Sequence, residues 1–432
     1  MFFVVISIFF LVFISNISKI VFCHKWMLDE EKKMKKDKIN SDIPLFLIIP
    51  VLNEQRIIKE TYYHFRNLVI DFDNVYTIFV TTEKEKSSGK KTFDIIVDLL
   101  NVDVQQKMFV INYPHKSGVM AHQLNYAIEK LREQMGTNDF WIGVYNADSR
   151  INTDTINYVL KRINNTKCDK FCMQQYSWFY CNKEKQKGVM PSCALWQTRW
   201  SITFEMARVL IQNYFSRLPL PKFLRIHLEK MNYIIGHGFF INAKTLHLLG
   251  GFPQNTINED ACLGYLINCN DIKIYPIPVL EMAESPDKIN VYLNQQDTWY
   301  NGPVYAFEYY RLYKKKENCD RYRCFLFAFK LFLHAIYWIA APLILYFACM
   351  FMIDSVEKII IWLIIIFLHM PFTNFIVHCF AKKHKKHMDF SVPRASVACI
   401  PFYFIHCLGP LKNIWKQLKG GNTIDNKYKT ER

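Results

Sequence analysis

Three short polar clusters follow apolar runs in the first third of the chain, and each carries groups suited to phosphate or metal chemistry. Pro50-Val51-Leu52-Asn53-Glu54 follows Leu45 to Ile49, and Thr81-Thr82-Glu83 closes the run from Val75. Asn146-Ala147-Asp148-Ser149 follows Phe140 to Tyr145. A carboxylate at the end of a strand is well placed to hold a divalent cation that bridges two phosphates. Singly, each cluster is better read as a turn or helix cap, because Asn, Asp, Ser and Thr favour those positions. Three in succession point to a site. Further on, Asn258-Glu259-Asp260 opens an apolar helical stretch. Its two carboxylates either complement a helix dipole or supply a general base. Gln295-Gln296-Asp297-Thr298-Trp299-Tyr300 combines amides with aromatics that can stack on a sugar face. The other reading is an amphipathic aromatic helix at a membrane interface, since Tyr305, Phe307, Tyr309, Tyr310 and Tyr313 continue the pattern.

Elements that could position these groups are legible around them. Apolar, β-rich runs at Leu45 to Ile49, Val75 to Thr81, Met108 to Asn112, Phe140 to Tyr145, Phe171 to Tyr176 and Ile272 to Tyr275 predict strands. Helical patterns over Glu54 to Leu68 and Gly118 to Arg132 lie between the early ones. Nearly continuous apolar strands suit a parallel sheet covered on both faces, so the fold class is α/β. Ligands of such sheets bind beyond the C-terminal strand ends, where the polar clusters fall.

The remainder of the chain is of another kind. Residues 1–18 carry no charge, and Leu331 to Ile353 and Ile359 to Phe380 contain no Asp, Glu, Lys or Arg. Each is long enough to cross a bilayer, which takes ~20 apolar residues. The first lacks the flanks of a cleaved signal peptide and reads as an anchor. Lys19, Lys25 and the cluster Lys32, Lys33, Lys35, Lys36 and Lys38 follow it, and Lys382, Lys383, Lys385 and Lys386 follow the last. The positive-inside rule then places residues 24–325 in the cytosol. A fourth apolar stretch, Ala395 to Pro410, is short, holds His406 and reads as re-entrant or interfacial.

Composition agrees. The 432 residues are 51% hydrophobic and 16% aromatic with only 14 Gly and 16 Pro, which excludes a disordered or collagenous chain. Lys and Arg number 54 against 38 Asp and Glu, a net charge of +16. Such a chain binds nucleic acid, or sits on an anionic membrane and binds phosphorylated small molecules. The basic residues flank apolar spans and form no separate arm, so a nucleic-acid partner is disfavoured. Of the 13 Cys, the densest group is Cys168, Cys172, Cys181 and Cys193. Its spacing fits no common zinc module and reads as buried free thiols.

In order and spacing, these motifs resemble the membrane-integrated family 2 glycosyltransferases, the group of cellulose, chitin and hyaluronan synthases. Ile49 to Glu54 is similar to that family's opening strand and turn, and Thr81-Thr82-Glu83 to its nucleotide-base site. Lys116 to Ala127 resembles its lysine-to-asparagine helix start, Asn146-Ala147-Asp148 its Asp-x-Asp metal motif, and Gly236-His237-Gly238 its acceptor loop. Glu259-Asp260 and Gln295-Gln296-Asp297-Thr298-Trp299 resemble its base motif and its Gln-x-x-Arg-Trp motif. Lys427 to Arg432 is similar to a segment that closes over the nucleotide in some members. Asn146 and Thr298 depart from the pattern, replacing an Asp and an Arg. Arg199-Trp200 resembles the altered pair but precedes the base motif.

The resemblance implies a GT-A-like nucleotide-sugar transferase domain at 44–310. Around it lie an anchor at 1–23, a basic linker at 24–43, an interfacial segment at 311–330, two spans within 331–380 and a basic loop, re-entrant or interfacial segment and tail at 381–432. It implies a multi-pass cell-membrane protein whose catalytic domain is cytoplasmic. Asp260, with Glu259, would be the base, and Asp148, with Asn146, would hold Mg2+ or Mn2+. Pro50, Asn53, Glu54, Thr82, Glu83, Lys116, Asn125 and Asp148 would bind the donor, a UDP-sugar by the same resemblance. Gly236, His237, Gly238, Gln295, Gln296 and Trp299 would bind the acceptor, and Lys429, Thr430 and Arg432 would face the leaving group. The implied reaction is inverting transfer to a growing β-linked polysaccharide. The alternatives are a single transfer to a lipid carrier or glycolipid, and a non-enzymatic membrane scaffold with a degenerate transferase domain. Partners would be the nucleoside diphosphate sugar, a saccharide or lipid-linked acceptor and membrane lipids, with a homo-oligomer or an export partner compatible with so few spans.

Overall fold

The computed structural model describes residues 2–34, 39–86, 89–103, 106–166, 170–179, 186–314, 320–384 and 392–420. The chain forms two compact units, one of Glu30–Tyr176 and Asn232–Met282, the other of Met1–Asp29, Ser177–Met231 and Ala283–Arg432.

The first of these is mixed α/β. Its sheet contains, among the described residues, β1 (Leu45–Pro50), β2 (Val75–Thr82), β3 (Met108–Tyr113), β4 (Trp141–Val144), β5 (Phe171–Trp178), β6 (Phe239–Asn242) and β7 (Lys273–Met282), in the order β3-β2-β1-β4-β6-β5-β7. β1 pairs in parallel with β2 and β4, and β2 with β3. β6 runs antiparallel to β4 and β5. Helices Ile58–Val69, Thr92–Asn101, Met120–Met135 and Thr153–Asn165 pack on this sheet. Every residue of β4, and every residue of β1 except Pro50, is therefore buried. That double coverage is why these strands read as unbroken apolar runs. The core gathers Leu47, Ile49, Phe65, Phe79, Trp141 and Val159.

Parallel pairing brings the ends of β1, β2 and β4 to one edge, and the ladder continues a residue beyond each. Val51 N donates to Val80 O (2.9 Å), Tyr145 N to Ile48 O (3.1 Å) and Glu83 N to Tyr113 O (3.1 Å). The helix after β1 begins at Ile58 rather than near Glu54. Asn53 is left-handed (φ 55°), and Glu54 O receives Ile57 N and Ile58 N in a turn. The helix expected over 118–132 runs Met120–Met135 and stops where left-handed Gly136 (φ 64°) caps it. β6 has no counterpart among the expected strands. Its four residues directly follow a glycine loop, too short a run to stand out.

The other unit is helical. Three of its helices, Phe2–Lys33, Arg321–Phe351 and Val356–Ala381, are long and apolar enough to cross a membrane. The short apolar stretch expected over 395–410 lies within helices Val392–Val397 and Cys399–Leu418. Phe402, His406, Gly409 and Asn413 of the longer helix are buried. Two π-helical turns, Ser201–Met206 and Leu368–Phe372, interrupt otherwise α-helical segments. Cys172 and Cys193 are buried and free, while Cys168 and Cys181 fall outside the described residues.

Candidate active site

The loop before β6 is fastened from two sides. Gln174 of β5 accepts Ile235 N at its Oε1 (3.0 Å) and donates from Nε2 to His237 O (2.9 Å). Gly238 N donates to Val144 O at the end of β4 (2.8 Å), and Gly238 O accepts Gln175 N (2.7 Å). Gly238 has φ 65°, and a Cβ there would lie 2.9 Å from Gln175 Cβ, so both conformation and space demand glycine. Gln175 is fully bonded as well. It accepts from Tyr145 OH (2.6 Å) and donates to Thr155 Oγ1 (3.0 Å) and Val279 O (2.9 Å). Burial holds the Tyr145 phenol well above its usual range, so it remains a donor.

This fastening sets Gly236 against Asp260. A Cβ on Gly236 would lie 3.2 Å from Asp260 Oδ2. Asp260 stands in the first turn of helix Glu259–Cys269, where the dipole favours an anion, and its Oδ1 accepts Ala261 N (2.7 Å). Met120, Leu124, Val144, Gly236, Phe252 and Asp260 line a small cleft. Val144 ends β4 two residues before Asn146, so the carboxylate opens beside the strand end that carries Asp148. Glu259 lines the same cleft but is buried, and Asp260 is half-buried.

Asn146 and Asp148 are half-buried in a turn closed by Ser149 N to Asn146 O (3.1 Å) and Asn146 N to Ser149 Oγ (3.2 Å). Thr61 Oγ1 and Arg150 Nη1 both donate to Ala147 O at its centre (2.5 and 3.3 Å). Among the described residues no three His, Cys, Asp or Glu side chains form a metal cage. A single carboxylate on a bonded turn suits an ion that arrives with phosphate and water ligands of its own, rather than one caged by protein alone.

At the end of β2, Glu83 accepts from Asn112 Nδ2 (2.7 Å) and Lys91 Nζ (3.1 Å). The Asn112 amide and then the Lys91 ammonium hold its carboxyl below the usual range. Thr82 Oγ1 donates to His115 O (3.3 Å), and Lys116 is exposed nearby, within electrostatic reach of Glu83. Pro50 closes β1 half-buried. Buried Glu54 receives its own structural tie, its N donating to Thr92 Oγ1 (3.3 Å).

Asn125 is bonded to the backbone of Phe252. Its Nδ2 donates to Phe252 O and its Oδ1 accepts Phe252 N, both at 2.8 Å. This reciprocal pair fixes the loop that precedes Glu259-Asp260.

The remaining motif residues stand on helix Ile289–Val304 of the helical unit. Gln295 Oε1 accepts Gln197 Nε2 (2.6 Å), and Gln296 is buried beside Gly409. Thr298 Oγ1 donates to Asn294 O (3.0 Å), and Trp299 is exposed. Asp297 is buried, accepts from Asn413 Nδ2 (2.9 Å) and pairs with Lys416. Lys429, Thr430 and Arg432 lie outside the described residues.

Sequence reasoning missed Glu281. It is 2% exposed, and its Oε2 lies 2.7 Å from His237 Nδ1. It also missed His64, whose pKa is lowered by burial and then by Arg150. A lone carboxylate within the apolar alternation of β7 was the available signal for Glu281.

No protein-family model and no curated protein matches the chain. Among solved structures, the mannosyltransferase PcManGT from Pyrobaculum calidifontis, in complex with GDP-Man and Mn2+, is similar over 95% of this chain and 99% of its own. The identity is 12% and the TM-score 0.48. S. aureus TarS 1-349 is similar over 88% of this chain and 92% of its own, at 12% identity and a TM-score of 0.41. Its complex with UDP-GlcNAc matches over 83% and 91%, at 11% identity and 0.41.

Proposed function

We propose that the α/β unit is a GT-A-like, family 2 glycosyltransferase domain, and that the chain is an inverting, metal-dependent hexosyltransferase of the cell membrane with its catalytic domain cytoplasmic. It transfers a sugar from a nucleoside diphosphate sugar to a growing β-linked polysaccharide. The observation that carries the reading is the Asp260 carboxylate, placed against Gly236 in a cleft at the C-terminal end of β4.

Asp260 accepts the proton of an acceptor hydroxyl as that oxygen bonds to the anomeric carbon. The bond from that carbon to the donor phosphate breaks, and its electron pair leaves with the nucleoside diphosphate. One displacement on an α-linked donor yields a β-linkage. Proton removal of this kind contributes about 10²- to 10⁴-fold. His237 and the backbone around Gly236 and Gly238 orient the acceptor. Glu83, Thr82 and Lys116 orient the nucleotide at the end of β2, with Pro50, Asn53 and Glu54 shaping the floor at the end of β1. Asp148, with Asn146, would hold Mg2+ or Mn2+ on the donor phosphates, and that ion when bound neutralises charge on the leaving diphosphate. Acceptor roles for Gln295, Gln296 and Trp299, a nucleotide-binding role for Asn125 and a leaving-group role for the tail at Lys429, Thr430 and Arg432 rest on the motifs. The net charge of +16 favours both the anionic donor and an anionic lipid surface.

A second reading, one sugar added to a lipid carrier or glycolipid, is favoured by the small number of candidate spans, three among the described residues. A donor screen on membranes containing the protein, followed by sizing and linkage analysis of the product, tests both. Polymer supports the first and a single added sugar the second. No transfer from any donor, with Mg2+ and Mn2+ supplied, favours the scaffold reading.

A further inference from the structure

Two borders of uncharged sequence meet at one place in the helical unit. Lys19 ends the first uncharged run, and Lys330 precedes the run from Leu331. Both interact electrostatically with Lys230. Lys330 Nζ donates to the carbonyls of Ile226 (2.7 Å) and Glu229 (2.6 Å). Arg323 pairs with Glu229 at 2.9 Å, and Tyr322 OH lies 2.6 Å from His227 Nε2. The segment 226–230 is thus tied to the charged end of helix Arg321–Phe351, with Lys19 of helix Phe2–Lys33 within electrostatic reach of Lys230.

That segment closes a hairpin made of helix Ala207–Phe215, a turn containing Pro219 and Pro221, and helix Lys222–Leu228. The hairpin exposes Tyr214 (60%), Phe223 (65%) and Leu228 (55%), with Phe215 and Leu224 also exposed. Arg217, Arg225 and Lys230 are exposed beside them. Apolar surface left in water is unfavourable relative to burial. Aromatic and aliphatic side chains interleaved with cations suit the boundary between headgroups and acyl chains. Each basic residue near an anionic leaflet strengthens such an attachment.

We propose that the hairpin 207–230 is an interfacial element embedded in the headgroup layer of an anionic phospholipid leaflet, with Phe223, Leu224 and Leu228 entering the acyl boundary and Arg217, Arg225 and Lys230 contacting lipid phosphates. This rests on reading the three long apolar helices as spans. It adds an attachment in the middle of the sequence to those at its two ends.

The test uses the full chain in nanodiscs containing phosphatidylcholine and phosphatidylserine. A fluorophore is placed at Phe223→Cys, and a second preparation carries it at Leu343→Cys, an exposed position near the middle of the uncharged run from Leu331 to Ile353. The labelled parent chain supplies the background. The residue 223 label should be quenched by lipids with a nitroxide near the headgroup and protected from aqueous iodide, while the residue 343 label should respond to deep nitroxides. Nitroxide phosphatidylserine should quench residue 223 at least twofold more than an equal fraction of nitroxide phosphatidylcholine. Arg217→Gln, Arg225→Gln and Lys230→Gln combined should erase that preference. Free access of iodide to residue 223 beside normal deep quenching at residue 343 overturns the proposal alone. Equal quenching by the two lipids in the parent overturns its anionic part. Loss of deep quenching at residue 343 overturns the span reading and the proposal with it.

Discussion

The Asp260 carboxylate stands where a side chain on Gly236 would begin, with Oδ2 3.2 Å from the position of that absent Cβ. A methyl group there crowds the carboxylate without changing its chemistry. Gly236→Ala should keep the fold and lower kcat by roughly tenfold, since a displacement near 1 Å at a reacting group costs up to about 10²-fold. Donor KM should change little. Steady-state kinetics beside thermal unfolding checks this, and an unchanged kcat would separate Asp260 from the reaction.

Glu281 and His237 make a buried pair, and its two substitutions should behave differently. Glu281→Leu leaves His237 Nδ1 without its partner and should destabilise by about 2 kcal/mol, in the range for a hydrogen bond to a charged group. Glu281→Gln keeps a bond and should cost less than half of that. Denaturant titration of the detergent-solubilised protein measures both. Equal losses would mean that packing, not the His237 contact, sets the value.

Asn125 donates to and accepts from the backbone of Phe252. Asn125→Ala strands both Phe252 groups and should cost roughly 2 kcal/mol. It should also loosen the loop before Asp260, so kcat should fall together with the melting temperature. A variant of wild-type stability would contradict the clamp.

His64 gives stability a pH dependence of definite sign. Its folded pKa is lowered below 6.5 by burial and by Arg150, against opposing contributions from the Ile151 backbone, Glu60 and Glu281. The unfolded chain therefore takes up the proton first as pH falls. The stability linked to neutral His64 is present above the unfolded value and is lost as pH falls from there through the folded value. Melting temperature should drop between pH 7 and pH 5 in the parent. The drop should be smaller in His64→Gln, and equal slopes would exclude His64 as the source.

Strands with continuous apolar runs were legible in the sequence, because burial on both faces writes itself into composition. β1, β2, β3, β4 and β5 fall on the expected runs, and β7 begins on one but continues to Met282. β6 was hidden because four residues behind a glycine loop make too short a signal. In the candidate site, Asp260 and Asp148 stood out by type and position. The bonds of Asn125 to Phe252 could not be read, because Phe252 is a partner far away in sequence that no local pattern announces. Gln174 and Gln175 were invisible for the same reason. They act by closing hydrogen bonds across strands, and polar residues inside strands carry no period of their own.

The most direct measurement compares Asp260→Asn with the parent, following sugar transfer and nucleotide binding in the same membranes. The substitution keeps shape and hydrogen bonding but removes the proton acceptor. Transfer should fall by about 10²- to 10⁴-fold, with nucleotide affinity within about twofold of the parent. Transfer near the parent rate, with the protein folded and nucleotide bound, would contradict the assignment of Asp260 as the base and with it the proposed glycosyl transfer at this cleft.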